Sequence, residues 1–137
     1  MPYLLDSNIL SELRKRDRCS PSVLAWYNTI SLEEIFLSVI VCGELRRGIE
    51  NIRKRDPATS QILDLWLRGL ISAHATNILP VTLEICEIWG RNPLLWPLQP
   101  ADALIAATAQ RHDLTVATRN ERDFQRSGVD YINPFRS

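Results

Sequence analysis

The chain has 137 residues, 45% of them hydrophobic and 23% charged. That size suits one compact domain, spanning 1–137, which buries roughly two-thirds of its unfolded surface without disulfide staples. Sixteen basic side chains balance sixteen acidic ones, which excludes a bulk-basic, histone-like nucleic-acid binder and an acidic disordered tail.

Cys19, Cys42 and Cys86 are odd in number and far apart, so free thiols in a reducing cytosol are expected. His74 and His112 add no pair at zinc-binding spacing. No apolar run approaches the roughly 20 residues of a membrane span. The opening Met1-Pro2-Tyr3 lacks the basic segment and cleavage site of a secretion signal, so a cytoplasmic protein is expected.

The short apolar run Tyr3-Leu4-Leu5 stops at Asp6-Ser7-Asn8. It predicts a central strand, apolar on both faces. Ser7 or Asn8 is then the expected cap of a helix carrying Ile9, Leu10 and Leu13. Ser20-Pro21 starts a second helix, with Val23, Leu24 and Tyr27 at helical spacing. Ile35 to Val39 is rich in β-formers and predicts the second strand. Glu44 opens a polar stretch to Glu50 that predicts a helix.

Asp56-Pro57 is another cap followed by proline. The stripe from Ile62 to Ile71, with Trp66, is either core or interface. Ile78 to Val81 predicts a short strand whose Pro80 places it at an edge or strand end. Thr82 caps a helix bearing Ile85, Ile88 and Trp89. Pro93, Pro97 and Pro100 mark a loop. The alanine-rich helix Ala101 to Arg111 follows. Leu114 to Ala117 is the fourth strand, a short turn or helix surrounds Asp123, and Val129 to Ile132 is the fifth. This alternation predicts an α/β three-layer α/β/α sandwich around a mostly parallel central sheet. Functional groups in such sheets gather outside the carboxyl ends of the strands.

The carboxylates fall there. Asp6 ends the first strand, Glu44 follows the second, Asp102 opens the alanine-rich helix and Asp123 lies past the fourth strand. Asn8 and Asn120 add amide oxygens at the same edge. Each residue alone has an ordinary structural role; their joint placement is what counts. Crowded carboxylates repel, so such a site needs a cation or must keep some protons. Hard oxygen donors without His or Cys suit Mg²⁺, or Mn²⁺, and a phosphate substrate. A phospho-receiver domain would need an acidic pair after the first strand and a late lysine; the chain has neither.

Four stretches resemble the motifs of PIN-domain nucleases. They are Leu4-Leu5-Asp6-Ser7-Asn8-Ile9-Leu10-Ser11-Glu12, Leu37 to Gly48 around Glu44, Pro100 to Ala109 around Asp102, and Val116 to Phe124 around Asn120 and Asp123. The ending Asn133-Pro134-Phe135 fits as well. The order and spacing are similar to VapC-type toxins of type II toxin–antitoxin systems. The resemblance implies a Mg²⁺-dependent endoribonuclease and homodimer. It also implies a small antitoxin with a DNA-binding domain, which neutralises the toxin and joins it in a larger hetero-oligomer.

By resemblance, Asp6 and Asp102 match the aspartates that bind the metal most directly, and Glu44 completes the acidic cluster. The fourth role falls to Asn120 or to Asp123. Ser7 and Thr118 match hydroxyl positions that orient a carboxylate or hold the attacking water. The segment Pro93 to Pro100 departs from the family's short loop, and its Trp96 is core, dimer contact or base-stacking surface.

Basic residues cluster despite the neutral sum. Residues 11–18 include Arg14, and residues 44–56 include Arg46 and Arg47. These runs are either solvated helix faces or tracks for an RNA backbone. Arg46 and Arg47 are alternatively where an antitoxin tail docks. The alternative to an RNA-cutting toxin is a weakly catalytic or non-catalytic PIN module working within a DNA-bound repressor complex.

Overall fold

The structure is a computed structural model, and it describes residues 1–136. Its strands are β1 (Tyr3–Leu5), β2 (Ile35–Ser38), β3 (Ile78–Leu79), β4 (Thr115–Ala117) and β5 (Tyr131–Ile132). They form one sheet in the order β3-β2-β1-β4-β5, and every neighbouring pair is parallel. The expected strand at residues 3–5 is central. Leu4, Leu5, Leu37, Val116 and Ala117 are fully buried, as strands covered on both faces require.

The helices are α1 (Ser7–Leu13), α2 (Pro21–Tyr27), α3 (Val39–Arg53), α4 (Pro57–Ala73), α5 (Leu83–Arg91), α6 (Pro100–His112) and α7 (Glu121–Ser127). Helices α1 to α4 pack on one another, and α5 to α7 do likewise. Parallel crossovers are right-handed. The chain steps outward from β1 to β3, then returns to β4 beside β1 and steps outward the other way. The two helix groups therefore cover opposite faces, giving the expected three-layer sandwich. Between β1 and β4 the direction of winding reverses, which opens a crevice at the carboxyl end of the sheet.

Several boundaries differ from expectation. Asp6 itself, not Ser7 or Asn8, is the residue before α1, and its carboxylate accepts the Ser7 N–H. α3 begins at Val39, capped by the Ser38 hydroxyl, so Glu44 lies one turn inside the helix rather than at its start. The third strand stops at Leu79 because Pro80 offers no donor, and it does occupy an edge. The stripe on α4 divides: Leu63 and Leu67 are buried, while Ile62 and Leu65 are about as exposed as a helix permits. The loop before α6 is pinned by buried Leu95 and Leu98, but Trp96 is 59% exposed and is not core. Its indole N–H donates to the Trp89 carbonyl at 3.0 Å.

Alanines let α6 lie close to its neighbours: Ala103, Ala106, Ala107 and Ala109 are all buried. This close seating holds Asp102 at the sheet end. α7 is held chiefly by Phe124, which is completely buried. Gly128 ends α7 with φ +80, a left-handed conformation that side chains other than glycine's resist. Phe124→Ala is expected to cost about 3–5 kcal/mol, because it removes a large buried ring and leaves a cavity. Urea unfolding would show this as a lower midpoint with an unchanged slope.

Candidate active site

Asp6 is where the site begins. Its backbone N–H extends the β1–β4 ladder by donating to the Ala117 carbonyl at 2.9 Å. Its carboxylate is only 4% exposed at residue level. It accepts three hydrogen bonds, from Ser7 N–H at 2.8 Å, Asn8 Nδ2 at 3.2 Å and Thr118 Oγ1 at 2.8 Å. Burial raises its pKa above the ordinary value, and these bonds offset only part of that rise.

The donors around Asp6 are themselves oriented. Thr118 Oγ1 accepts the Asn120 N–H at 2.9 Å, which leaves its own hydrogen for Asp6. Asn8 Oδ1 accepts the Arg119 N–H at 3.1 Å, which turns Nδ2 toward the carboxylate. The loop after β4 is thus latched to the loop after β1 by one hydroxyl and one amide.

Three more acids face this point from three other elements. Asp102, in the first turn of α6, is pushed up to about 6 by burial first, then by the charges of Asp6 and Asp123. Glu44 on α3 is raised by loss of hydration, then by Asp6 and Asp102, while the Ser7 side chain partly offsets this. Asn120 Nδ2 donates to Asp123 Oδ2 at 2.9 Å and to Asp102 Oδ2 at 3.5 Å. Asn120 and Asp123, the two candidates for the fourth role, thus lie on one hydrogen-bond chain. The amide bridges two carboxylates, and Asp123 supplies the charge.

The acids form a rim rather than a closed cage. Among the described residues, no three Asp, Glu, His or Cys side chains stand close enough together to hold a metal ion as they are placed. Asp6, Glu44 and Asp102 nevertheless share one electrostatic field and contribute only oxygen donors. Mg²⁺ is suited to such a place, because it is usually held by one or two carboxylates and keeps several waters.

The predicted basic contacts fare differently. Arg46 pairs with Asp64 at 2.6 Å and Glu50 at 3.4 Å, which ties α3 to α4. Arg14 lies 5.9 Å over the Trp66 ring, and both line a groove with Ser7, Glu44 and Leu45. Arg47 is exposed on α3. Sequence reasoning missed Arg119, whose guanidinium stacks 4.5 Å over the Phe135 ring. Its place between Thr118 and Asn120 was the available signal.

Comparison with known proteins identifies the family. The PIN domain family model matches residues 3–129. The chain belongs to the PIN-domain family. It is 33% identical to the VapC ribonuclease Y4jK of Sinorhizobium fredii, covering 96% of both chains. It is 31% identical to the toxin FitB of Neisseria gonorrhoeae, over 96% of this chain and 97% of that one. The solved structure of FitAcB from Neisseria gonorrhoeae superposes with a TM-score of 0.89 at 31% identity, covering 98% of this chain and 99% of that one. The structure of FitAB bound to an IR36 DNA fragment gives 0.88 at 29% identity, covering 98% and 96%.

The raised Asp102 pKa makes a stability statement about this PIN domain. Folded Asp102 keeps its proton up to about pH 6, while the unfolded chain releases it near 3.8. The native state binds more protons in that window, so stability falls as pH rises through it. Asp102→Asn removes the cost. In metal-free buffer near pH 8 the variant is expected to be more stable by about 1–2 kcal/mol, the full shift discounted for partial exposure. Below about pH 4 the two proteins should unfold together. Thermal unfolding at the two pH values checks both.

Proposed function

We propose that this PIN domain, a single domain over 1–137, is a metal-dependent endoribonuclease and the toxin of a toxin–antitoxin pair. The observation that carries the reading is the meeting of Asp6, Glu44, Asp102 and Asp123, from four separate elements, in one crevice where their charges are mutually unfavourable. Local hydrogen bonds hold Asp6 and the helix dipole favours an anion at Asp102, but neither relieves the repulsion among the acids; a bound divalent cation would.

Asp6 and Asp102 are the proposed principal ligands, with Glu44 completing the set and Mg²⁺ the preferred ion over Mn²⁺. A divalent cation held by these residues would supply a more acidic water and offset charge developing on a phosphate. Thr118, Asn8 and the Ser7 N–H fix both Asp6 oxygens before any ligand arrives. Glu44 is solvent-accessible and has a raised pKa, so its carboxylate oxygens are suited to take a proton from the attacking water. Asn120 keeps Asp102 and Asp123 oriented as the charge changes. In-line attack leaves a 5′-phosphate and a 3′-hydroxyl.

The names VapC ribonuclease and toxin FitB, borne by relatives that match over nearly the whole chain, support this activity. The FitAcB and FitAB structures support a small antitoxin partner, and the DNA-bound one supports a DNA-binding antitoxin. The apolar groove between α1 and the α3–α4 pair, lined by Leu45, Ile49, Leu63, Trp66 and Arg14, suits the antitoxin's docking segment. Mostly exposed Trp96 suits a contact within a homodimer, with the antitoxin completing a larger hetero-oligomer. The rival reading, a non-catalytic module in a repressor complex, would follow from an amide, Asn120, standing in place of an acid. Asp123, 2.9 Å from the Asn120 amide, weakens it.

Asp6→Asn should lower RNA cleavage by at least about 100-fold, since it removes a ligand charge where the reaction develops its own. Its circular dichroism spectrum should match wild type. Chelation should stop the wild-type enzyme, and Mg²⁺ should restore it. If partner-free protein with Mg²⁺ cuts no RNA, the binding-module reading takes its place.

A further inference from the structure

The acid rim has a neighbouring cleft whose basic side chains the proposed chemistry does not use. An open cleft of about 460 Å³ lies between β5, α7 and the C-terminal segment. Its lining includes Arg119, Asn120, Arg122, Gln125, Tyr131 and Arg136. Asn120 belongs to both places: it borders the cleft and donates to Asp102 and Asp123. Asn120 thus joins the cleft to the acid rim.

Its charge is basic and largely uncommitted. Arg136 pairs with Glu121 at 2.6 Å. Arg119 and Arg122 are exposed, and among the described residues neither belongs to an ion pair. Buried Glu12 feels the charge of Arg119, but it is already bonded to Lys15 Nζ at 2.9 Å and to the Ser20 N–H at 2.8 Å. The basic runs near α1 and α3 are also only partly paired: Lys15 pairs with Glu12, Arg46 with Asp64 and Arg53 with Glu50, so what distinguishes the cleft is its place beside Asn120.

Arg119 is also held in place. Its backbone N–H is bonded to Asn8, and its guanidinium stacks on Phe135. Phe135 is fixed in turn: its N–H donates to Asn133 Oδ1 at 3.0 Å, Asn133 Nδ2 donates to Glu121, and the adjacent Pro134 carbonyl accepts the Ser22 hydroxyl at 2.8 Å. A guanidinium ordered before binding loses little freedom on meeting a phosphate. Tyr131 adds an aromatic surface beside it, of the kind on which unpaired bases stack.

We propose that this cleft binds single-stranded RNA next to the scissile bond, with Arg119 and Arg122 on backbone phosphates. The proposal rests on the nuclease reading of the acid rim. A strand whose phosphate lies at the rim must continue past Asn120, and the cleft is the uncommitted basic surface there. Arg119 and Arg122 are positioning residues, not catalytic ones.

The test measures binding of fluorescein-labelled oligouridylates of increasing length to the full chain in EDTA, across a salt series. Arg122→Ala should weaken binding of the longer strands about 5–10-fold and reduce the slope of log Kd against log salt by about 0.7, the value of one phosphate contact on a single strand. Arg122→Lys should restore the slope. Arg119→Lys keeps charge but loses the flat stack, so it should weaken binding and leave the slope. With Mg²⁺, Arg122→Ala should raise KM more than it lowers kcat. Wild-type affinity and slope in both Arg119→Ala and Arg122→Ala would overturn the cleft while leaving the nuclease reading intact. Loss of antitoxin binding with an unchanged RNA slope would overturn it too, and mark a protein-docking face. A wild-type protein that neither binds nor cuts RNA would instead sink the underlying nuclease reading.

Discussion

A carboxylate stripped of most of its water organises this PIN domain. Asp6 ends the central strand, and it is nearly buried there. An isolated charge in such a place would simply take up a proton, as the raised pKa shows in part. Three donors hold it ready to ionise, and they come from two elements. Ser7 N–H comes from the start of α1, Asn8 from the same turn, and the Thr118 hydroxyl from the end of β4. The Thr118 bond, and Asn8 through its bond from the Arg119 N–H, tie the junction of the two central strands as well as the site. Fold and chemistry share these bonds, so the rim is as rigid as the sheet that ends in it.

The reversal of winding between β1 and β4 explains why the other acids arrive there. Helices that leave β2 and precede β4 lie on opposite faces of the sheet, yet both have ends near the crevice. α3 brings Glu44 from one side and α6 brings Asp102 from the other. α6 comes close because its buried face is mostly alanine. Its first turn favours an anion through the helix dipole, which is worth a few tenths of a kcal/mol to about 1 kcal/mol. Even so, burial and neighbouring charge push Asp102 up to about 6. The repulsive terms outweigh the dipole. Such a balance marks a site kept for what it binds rather than for stability.

Much of this was legible in the chain. The apolar run at residues 3–5 stops at an acid, which makes both a central strand and a crevice carboxylate expected. The cap-plus-proline pairs Ser20-Pro21 and Asp56-Pro57 mark helix starts that the structure keeps. What was not legible depends on partners distant in sequence. Arg46 looks like a free cation until α4 folds back and Asp64 meets it. Trp96 has no assignable role in one dimension, because its indole N–H finds a backbone carbonyl seven residues earlier while its ring faces solvent. Asn120 and Asp123 look like competitors for one position. They are consecutive members of one hydrogen-bond chain only once α7 places them a turn apart. Arg119 reads as punctuation after a strand, since its stack on Phe135 joins segments that only the sheet brings together.

Zero net charge also takes on a different meaning in three dimensions. An acidic rim repels a polyanion, so an enzyme built on one must offset that repulsion near the site. A bulk-basic surface would do so, but it would hold any nucleic acid along its whole length. Here opposite charges are sorted locally instead. Acids gather at the carboxyl end of the sheet, some arginines on the helices are spent on ion pairs with Asp64, Glu50 and Glu87, and Arg119 and Arg122 stand beside the rim in no ion pair among the described residues. Coulomb energy falls off with distance and is screened over about 10 Å at ordinary salt. Attraction confined to residues adjoining Asn120 therefore acts only on a strand that already lies across the acids. On the proposed nuclease reading, that sorting would favour correctly placed RNA over loosely held RNA, which a uniform positive surface of the same total charge would not do.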